Sequence, residues 1–399
     1  MLVYKLLATR WLLLTTISVA PLAMTTEMTP GEADPLPMVG ELVPSEAGPL
    51  MLETVTSGLK VPWTFSFLPD GTALVGERDA GRLHRLDVRD GSRVPVTGLP
   101  EMLADGAISS GLFDVRPHPD FANNHWVYLA YGVGTADACS LAVDRMKLVG
   151  SELSEGVRLF TATPQLDAKW HFGGRLAFSG DYLFITTGDG FKHSSLAQDL
   201  GAHMGKVLRL HHDGSIPKDN PFLATAGALP EIWSYGVRNP QGMAVHPISG
   251  EIWINEHGPQ GGDEINIVRA GINYGWPVIS YGEEYGGGPI GEGIQHKAGM
   301  EQPLYYWTPS IAPSGMTFYS GAAMPRWRGN IFSGALALKH LNRLVIEGER
   351  VIHEERLLED KGWRVRFVEE GPDGYLYFGV DEGMVMRLRD AGADFSPSP

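Results

Sequence analysis

The feature that most constrains the fold is a repeated unit made of a tight turn followed by a short apolar strand. The unit occurs six times, as PDGTALVGE at Gly71, NNHWVYLAY at Asn124, SGDYLFITT at Gly180, SGEIWINE at Gly250, RGNIFSGAL at Asn330 and PDGYLYFGV at Gly374. The first and last units also continue alike, as GRLHRL and GMVMRL, which indicates a further strand of the same type. The spacing of roughly 55 residues per unit suits a blade of four short strands. The repeat therefore predicts an all-β fold, a six-bladed β-propeller.

The rest of the chain agrees with an all-β fold. No long stretch has helical periodicity, and the 50 glycines among 399 residues exceed the usual share of roughly 7%, so turns must be abundant. A hydrophobic share of 43% is enough for a large core. Glycine-containing turns also occur in a β-sandwich or in two β domains, and both alternatives stay open on the repeat alone.

The two ends of the chain differ in composition from the middle. Residues 1–24 read as an export signal or an N-terminal anchor, because Lys5 and Arg10 precede an apolar run that is short for a membrane span of about 20 residues. Residues 25–50 are rich in Pro, Glu and Gly and are predicted to be a disordered linker. We expect the propeller at 51–391 and a tail at 392–399, in an exported, periplasmic protein.

Charge and cysteine content exclude several functions. The formal net charge of -15 argues against binding to nucleic acid or to an anionic membrane surface. The single cysteine, Cys139, cannot form an internal disulfide, and no CxxCH motif is present to attach a haem. Redox chemistry would need a different cofactor.

Two loops carry polar residues that ordinary turns do not need. In WHFGGRLAF, His171 precedes two glycines, and it is either a buried structural histidine or a general base beside a planar ligand. In YGVRNPQGMAVHP, Arg238 and Asn239 precede a turn. Arg238 is either a solvated charge or a fork for an oxygen anion in the channel.

Two further segments suggest a cation site and an anion site. In NEHGPQGGDEINIVRAGINYGWP, glycines around Pro259 allow main-chain oxygens to bind calcium, with Asp263 and Glu264 nearby; an acidic surface loop is the alternative. The basic residues Lys339, Arg364 and Arg366 stand out in an acidic chain. On a strand, the two arginines share one side, where they would hold a compact polyanion if that side lines the channel.

Together these segments resemble a known family. The matching stretches are VPWTFSFLPDGTALVGERDAGRL, GLFDVRPHPDF, WHFGGRL, SYGVRNPQGMAVHP, NEHGPQGGDEINI…NYGWP, PSIAPSGMTFY and LALKHLNRL. In that order they resemble the soluble sugar dehydrogenases that depend on pyrroloquinoline quinone (PQQ), and more closely the aldose sugar dehydrogenases of the glucose/sorbosone dehydrogenase family. The resemblance spans 52–389. It implies a six-bladed propeller that oxidises the anomeric carbon of an aldose to the lactone, with PQQ and calcium.

The resemblance also implies roles for individual residues. His171 corresponds to the general base and Arg238 to a group that stabilises charge on the reacting carbonyl. The residues implied to contact the cofactor are Arg238, Asn239, His257, Ser310, Lys339, Arg364 and Arg366. Main-chain oxygens of Gly258 and Pro259 correspond to the calcium site at the cofactor, whereas Glu264 and the main-chain oxygen of Tyr274 resemble a second calcium site of part of the family.

This chain departs from the family pattern at two places. Ser109 stands where a glutamine that orients substrate is common, which leaves substrate handling open. Phe367 follows the arginine pair where an aspartate is usual, so the arginines need other support. A calcium-dependent propeller lactonase and a non-catalytic propeller that binds carbohydrate or protein remain alternatives. The expected partners are a small aldose sugar and a separate electron acceptor.

Overall fold

The strands of the computed structural model, which describes residues 40–104, 106 and 109–392, form six antiparallel sheets arranged as blades. The first strands are β1 (Gly40–Val43) and β2 (Leu50–Thr56). Blade one contains β3 (Pro62–Phe67), β4 (Ala73–Glu77), β5 (Arg82–Leu86) and β6 (Arg93–Pro95). Blade two contains β7 (Leu112–Pro117), β8 (Trp126–Thr135), β9 (Ala138–Val149) and β10 (Glu152–Thr161). Blade three contains β11 (Gly173–Ser179), β12 (Tyr182–Thr187), β13 (Lys206–His211) and β14 (Ile232–Tyr235).

The second half of the chain continues the same order. Blade four contains β15 (Pro240–Val245), β16 (Ile252–Glu256), β17 (Asp263–Val268) and β18 (Tyr305–Trp307). Blade five contains β19 (Pro313–Phe318), β20 (Ile331–Ala335), β21 (His340–Ile346) and β22 (Val351–Leu357). Blade six contains β23 (Val365–Glu370), β24 (Leu376–Val380) and β25 (Met384–Asp390), followed by β2 and β1. The helical segments of the described residues are short: α1 (Phe121–Asn124) and the 3₁₀ turns Ser194–Gln198, Pro325–Trp327 and Glu359–Lys361.

The innermost strands close a ring around a central channel. Strand β3 packs against β7, β7 against β11, and so on through β15, β19 and β23, which returns to β3. The prediction of a six-bladed propeller is confirmed, and the sandwich and two-domain alternatives are wrong. Each repeated turn-and-strand unit of the sequence is the second strand of a blade.

The prediction that residues 25–50 are a disordered linker is wrong for the end of this segment, because part of it belongs to blade six. Strand β1 pairs antiparallel with β2, with Gly40 opposite Glu53. Main-chain pairing and the burial of Val43 and Leu50 hold the segment, although it has few large apolar residues. The predicted signal or anchor at 1–24, the linker up to residue 39 and the tail from residue 393 lie outside the described residues. No helix in the described part of the chain has the length and apolar character to cross a membrane.

A buried arginine fills the middle of the channel. Arg175 on β11 is 3% exposed. Its guanidinium donates to the main-chain oxygens of Gln241 at 2.6 Å and Trp63 at 3.2 Å, on the inner strands of two other blades. The carboxylate of Asp114 lies 4.0 Å away. The arginine satisfies carbonyl groups on several blades and separates the two mouths of the channel.

Candidate active site

A cavity of about 490 Å³ opens where the innermost strands begin. Residues in or beside all six blades line it: Trp63, Arg78, Ser109, Phe113, Trp170, His171, Phe172, Gly173, Phe191, Asn239, Gln241, His257, Tyr285, Leu336, Arg364 and Arg366. Five of the residues predicted from the sequence are among them: His171, Asn239, His257, Arg364 and Arg366. The propeller therefore brings together groups that are almost 200 residues apart in the chain.

His171 lies just before β11, with a φ of 62°, in the left-handed region that non-glycine residues rarely adopt. Its Nδ1 is 2.7 Å from Oδ1 of Asp189. A carboxylate accepts, so Nδ1 carries the hydrogen and Nε2 keeps its lone pair. Within the described residues nothing else hydrogen-bonds the ring. His171 is thus arranged to accept a proton from a molecule in the cavity.

Asp189, just after β12, is the orienting group that the sequence reasoning missed. It is fully buried and accepts three hydrogen bonds, from His171, from the Phe191 main-chain N–H at 2.8 Å and from Nε1 of Trp276 at 2.8 Å. Burial raises the pKa of this carboxyl, but the hydrogen bond from His171 and the charge of Arg238 bring it below its usual value. The sequence feature that could have identified Asp189 is its position between two glycines after an apolar strand, in TTGDGF.

Electrostatics favour the neutral form of His171. Burial is the largest influence and lowers the pKa of the imidazole, and the positive charge of Arg238 lowers it further. The hydrogen bond to Asp189 opposes both but does not reverse them. The ring is therefore neutral, as a general base must be before it accepts a proton.

Arginines form the opposite wall. Arg364 and Arg366 both bond Asp381, at 2.9 Å from Nε of Arg364 and 2.6 Å from Nη2 of Arg366. The prediction that the two arginines share one side is confirmed, since Val365 and Phe367 between and after them are buried on the other side. Asp381 holds the two arginines in place of the aspartate that is usual at position 367. No local sequence pattern indicated Asp381, because it is distant in sequence from the arginines.

Arg238 and Asn239 lie in the connection that enters blade four. Oδ1 of Asn239 accepts from the Gly173 main-chain N–H at 3.2 Å, which holds the amide beside His171. Nη1 of Arg238 donates to the main-chain oxygens of His257 at 3.0 Å and Gly258 at 2.9 Å. Arg238 is 4% exposed, so its predicted alternative as a solvated surface charge is wrong.

His257 separates the main cavity from a smaller one. Its Nε2 lies 2.6 Å from the main-chain oxygen of Pro313, so this nitrogen is the donor. Burial lowers the pKa of His257 to about 3, and the charge of Arg238 acts in the same direction. His257 is therefore a neutral wall residue and not a base.

The smaller cavity contains two carboxylates that form no ion pair within the described residues, although Arg238 also lines it. Glu256 on β16 stands directly opposite Glu264 on β17, and Tyr274 also lines the space. Asn266 donates to both carboxylates, at 3.2 Å and 3.0 Å, and the Arg238 main-chain N–H donates to Glu256. Burial raises the pKa of both glutamates, and their mutual repulsion adds to it for Glu256. Such a pair fits a hard cation, which prefers oxygen ligands.

A cation in the smaller cavity would need main-chain oxygens as ligands in addition to the two carboxylates. In the described ranges no group of three or more His, Cys, Asp or Glu side chains is placed to hold a metal ion. At the other predicted calcium position, the Gly258 oxygen already accepts from Arg238, so an ion would share that oxygen with a guanidinium. Pro259 is buried beside Gly282 and does not line the main cavity.

Three predicted cofactor residues do not line the main cavity: Arg238, which lines the smaller one, Ser310 and Lys339. The hydroxyl of Ser310 donates to Asp263, at 2.9 Å and 2.7 Å from its two oxygens. Asp263, read from the sequence as a candidate calcium ligand, instead holds a loop, because it also accepts from the main chain of Gly258 and Ala312. Lys339 lies exposed in the turn between β20 and β21, with a φ of 56°. Neither Ser310 nor Lys339 is among the lining residues.

The fold and the cavity together define a class of protein. It is a single-chain β-propeller in which a histidine held by an aspartate faces a wall of arginines at one mouth of the channel. Residues 59–387 match the family model described as glucose/sorbosone dehydrogenase. The chain belongs to this family. It is 43% identical over 336 residues to aldose sugar dehydrogenase YliI of Escherichia coli, covering 83% of this chain and 90% of that protein.

Solved structures agree with this assignment. The apo form of the soluble aldose sugar dehydrogenase of Escherichia coli superposes with a TM-score of 0.81 at 41% identity, covering 85% of this chain and 99% of that one. The PQQ-bound aldose sugar dehydrogenase of Streptomyces coelicolor superposes with a TM-score of 0.69 at 27% identity, covering 88% and 99%.

Proposed function

We propose that the protein is a PQQ-dependent dehydrogenase that oxidises the anomeric carbon of aldose sugars to the lactone. The observation that carries the proposal is the pairing of His171 with Asp189 in a cavity whose opposite wall is cationic. Family membership and the PQQ-bound neighbour support the choice of substrate and cofactor.

The residues of the main cavity fit a planar polyanion. Arg364 and Arg366 supply positive charge, and Asn239 supplies an amide. Two buried lining atoms, Nε1 of Trp63 and Oε1 of Gln241, have no hydrogen-bond partner within the described residues. Buried polar atoms are rarely left unpaired, so a polar ligand at this place is expected. Arg238, beside the lining residue Asn239, would add positive charge for an oxygen that becomes negative.

His171 is the proposed proton acceptor. Nε2 takes the proton from the hydroxyl on the anomeric carbon as a C=O bond forms there, and the hydrogen on that carbon leaves as hydride. Asp189 keeps Nδ1 protonated and stabilises the charged ring that results. When bound, PQQ supplies the carbonyl that receives the hydride and is the two-electron oxidant.

Calcium is proposed as the cation of the smaller cavity. The carboxylates of Glu256 and Glu264 and the main-chain oxygen of Tyr274 would hold it. Glu256 adds to the ligands expected from the sequence. An ion there would relieve the repulsion between the two glutamates. Calcium bound by Gly258 and Pro259 remains a prediction of the family resemblance.

Export to the periplasm and transfer of electrons to a separate acceptor are further parts of the proposal. The first rests on the charged and then apolar leader at 1–24. The second rests on the absence of a CxxCH haem motif from the sequence.

Reconstitution tests the proposed function. Purified protein, incubated with calcium and PQQ, is expected to oxidise aldoses in the presence of an artificial electron acceptor and to show no activity without PQQ. Failure to bind PQQ and to oxidise any aldose would contradict the proposal. Hydrolysis of lactones by PQQ-free protein would favour the lactonase, whereas sugar binding without PQQ affinity would indicate a non-catalytic propeller.

The pH profile gives a second prediction. The value of kcat/KM for an aldose should rise with pH and reach a plateau, because His171 is active only when neutral and protonation abolishes its role. Since burial lowers the pKa of His171, the acidic limb should lie below about 6.5, the ordinary value for histidine. Initial rates between mildly acidic and neutral pH, at saturating acceptor, measure this limb. A limb clearly above the ordinary value would contradict the buried, neutral ring.

A further inference from the structure

Arg78, which follows β4, is a third arginine on the wall of the main cavity. It is 8% exposed. Its guanidinium carbon lies 3.8 Å from the centre of the Trp63 ring, and that of Arg366 lies 4.7 Å from the same ring. Trp63 therefore holds two guanidinium groups at one side of the cavity, a geometry that orients their planar forks.

The hydrogen bonds of Arg78 are incomplete. Nε donates to Asp79 at 2.5 Å. Its terminal nitrogens, Nη1 and Nη2, have no hydrogen-bond partner in the described part of the chain. Arg364 and Arg366 differ, because Asp381 accepts from both. Both terminal nitrogens belong to a side chain that lines the main cavity, so they are free to donate to a molecule bound there.

The charge on this wall is also unbalanced. The carboxylates beside the three arginines are Asp79 and Asp381, so the wall carries an excess of positive charge. Lys339, expected from the sequence to complete the basic set, does not line the cavity. Arg78 is thus the remaining basic side chain placed on this wall for an anion.

We propose that Arg78 binds a carboxylate of PQQ through its two terminal nitrogens and completes the cationic wall with Arg364 and Arg366. The inference rests on the proposed function, since it presumes PQQ as the ligand. Paired N–H groups of a guanidinium match the two oxygens of a carboxylate, which gives orientation as well as affinity. No residue role implied by the family resemblance includes Arg78.

The test measures binding rather than turnover. Equilibrium dialysis with calcium and without sugar gives the Kd of PQQ and of its trimethyl ester, in which the carboxylates are masked. For R78Q the Kd of PQQ should rise about 10- to 100-fold, the range of a lost charge-assisted hydrogen bond. The Kd of the ester should change much less, because the group that Arg78 recognises is already masked.

Two variants control the result. R82Q removes one arginine from the same blade, at a side chain that is 61% exposed, and should leave both Kd values unchanged. R78K keeps one positive charge but loses the fork, so it should fall between wild type and R78Q. It also serves as the test if R78Q does not fold.

The outcomes separate the inference from the proposed function. An R78Q or R78K protein that binds PQQ as tightly as wild type would overturn the role of Arg78 alone. Equal losses for PQQ and for its ester would also overturn it, because they would show that Arg78 only supports Trp63 and the wall. If wild type itself fails to bind PQQ, the proposed function fails first.

Discussion

Replacement of His171 by Gln should lower kcat for aldose oxidation by about 10²- to 10⁴-fold, the usual contribution of a general base. Gln has nearly the length of His and can still donate to Asp189, but it cannot take up a proton at neutral pH. The affinity for PQQ should stay close to that of wild type, since the cationic wall is intact. Steady-state rates and equilibrium dialysis measure the two quantities.

A matched histidine on the surface provides the control. His193 also pairs with a carboxylate, since its Nε2 is 2.8 Å from Asp167, but it does not line the cavity. H193Q should therefore leave kcat unchanged. If H171Q turns over at the rate of H193Q, His171 is a structural residue, the alternative that the sequence alone left open.

Replacement of Asp189 by Asn should lower kcat by about 10²- to 10⁴-fold, although the two side chains have the same shape. All three partners of Asp189 are donors: His171, the Phe191 main-chain N–H and Trp276. An asparagine has one accepting oxygen and a donating amino group. Either its amino group faces the Trp276 N–H, or it turns towards His171 and forces the tautomer that carries hydrogen on Nε2.

The surface pair again provides the control for this variant. D167N changes an exposed carboxylate that holds His193 and should have no effect on kcat. Circular dichroism and the Kd of PQQ test whether D189N keeps its fold. A folded D189N protein with unchanged kcat and unchanged pH profile would contradict the role of Asp189 in orienting the base.

The sequence predicted the fold and several site residues because both follow local patterns. The turn before the second strand of each blade recurs, so Gly71 and Gly374 could be aligned without any structure. The alternation of charged and apolar residues from Arg364 to Phe367 placed the two arginines on one side, which the structure confirms. The family resemblance added His257, a residue whose isolated sequence context gives no hint of its position.

The groups that the sequence could not predict act between neighbouring strands of one blade. Asp189 is 18 residues from His171, and Asp381 is 15 residues from Arg366. Each lies in another strand connection of the same blade, and the pairing of β11 with β12 and of β23 with β24 brings the partners together. The residue types of Ser310 and Lys339 suit an anion, but the three-dimensional path of their loops decides where they lie, and neither lines the cavity.

The way in which blade six is assembled sets when the wall of arginines is complete. Strand β2, near the start of the described chain, pairs with β25 near its end, and β23 of the same sheet begins between Arg364 and Arg366. A nascent chain lacking its last blade has neither the ring nor these two arginines. Such a chain offers five blades and an open seam, with no complete binding wall. The complete wall therefore forms only after β2 has paired with β25 and the ring of blades has closed.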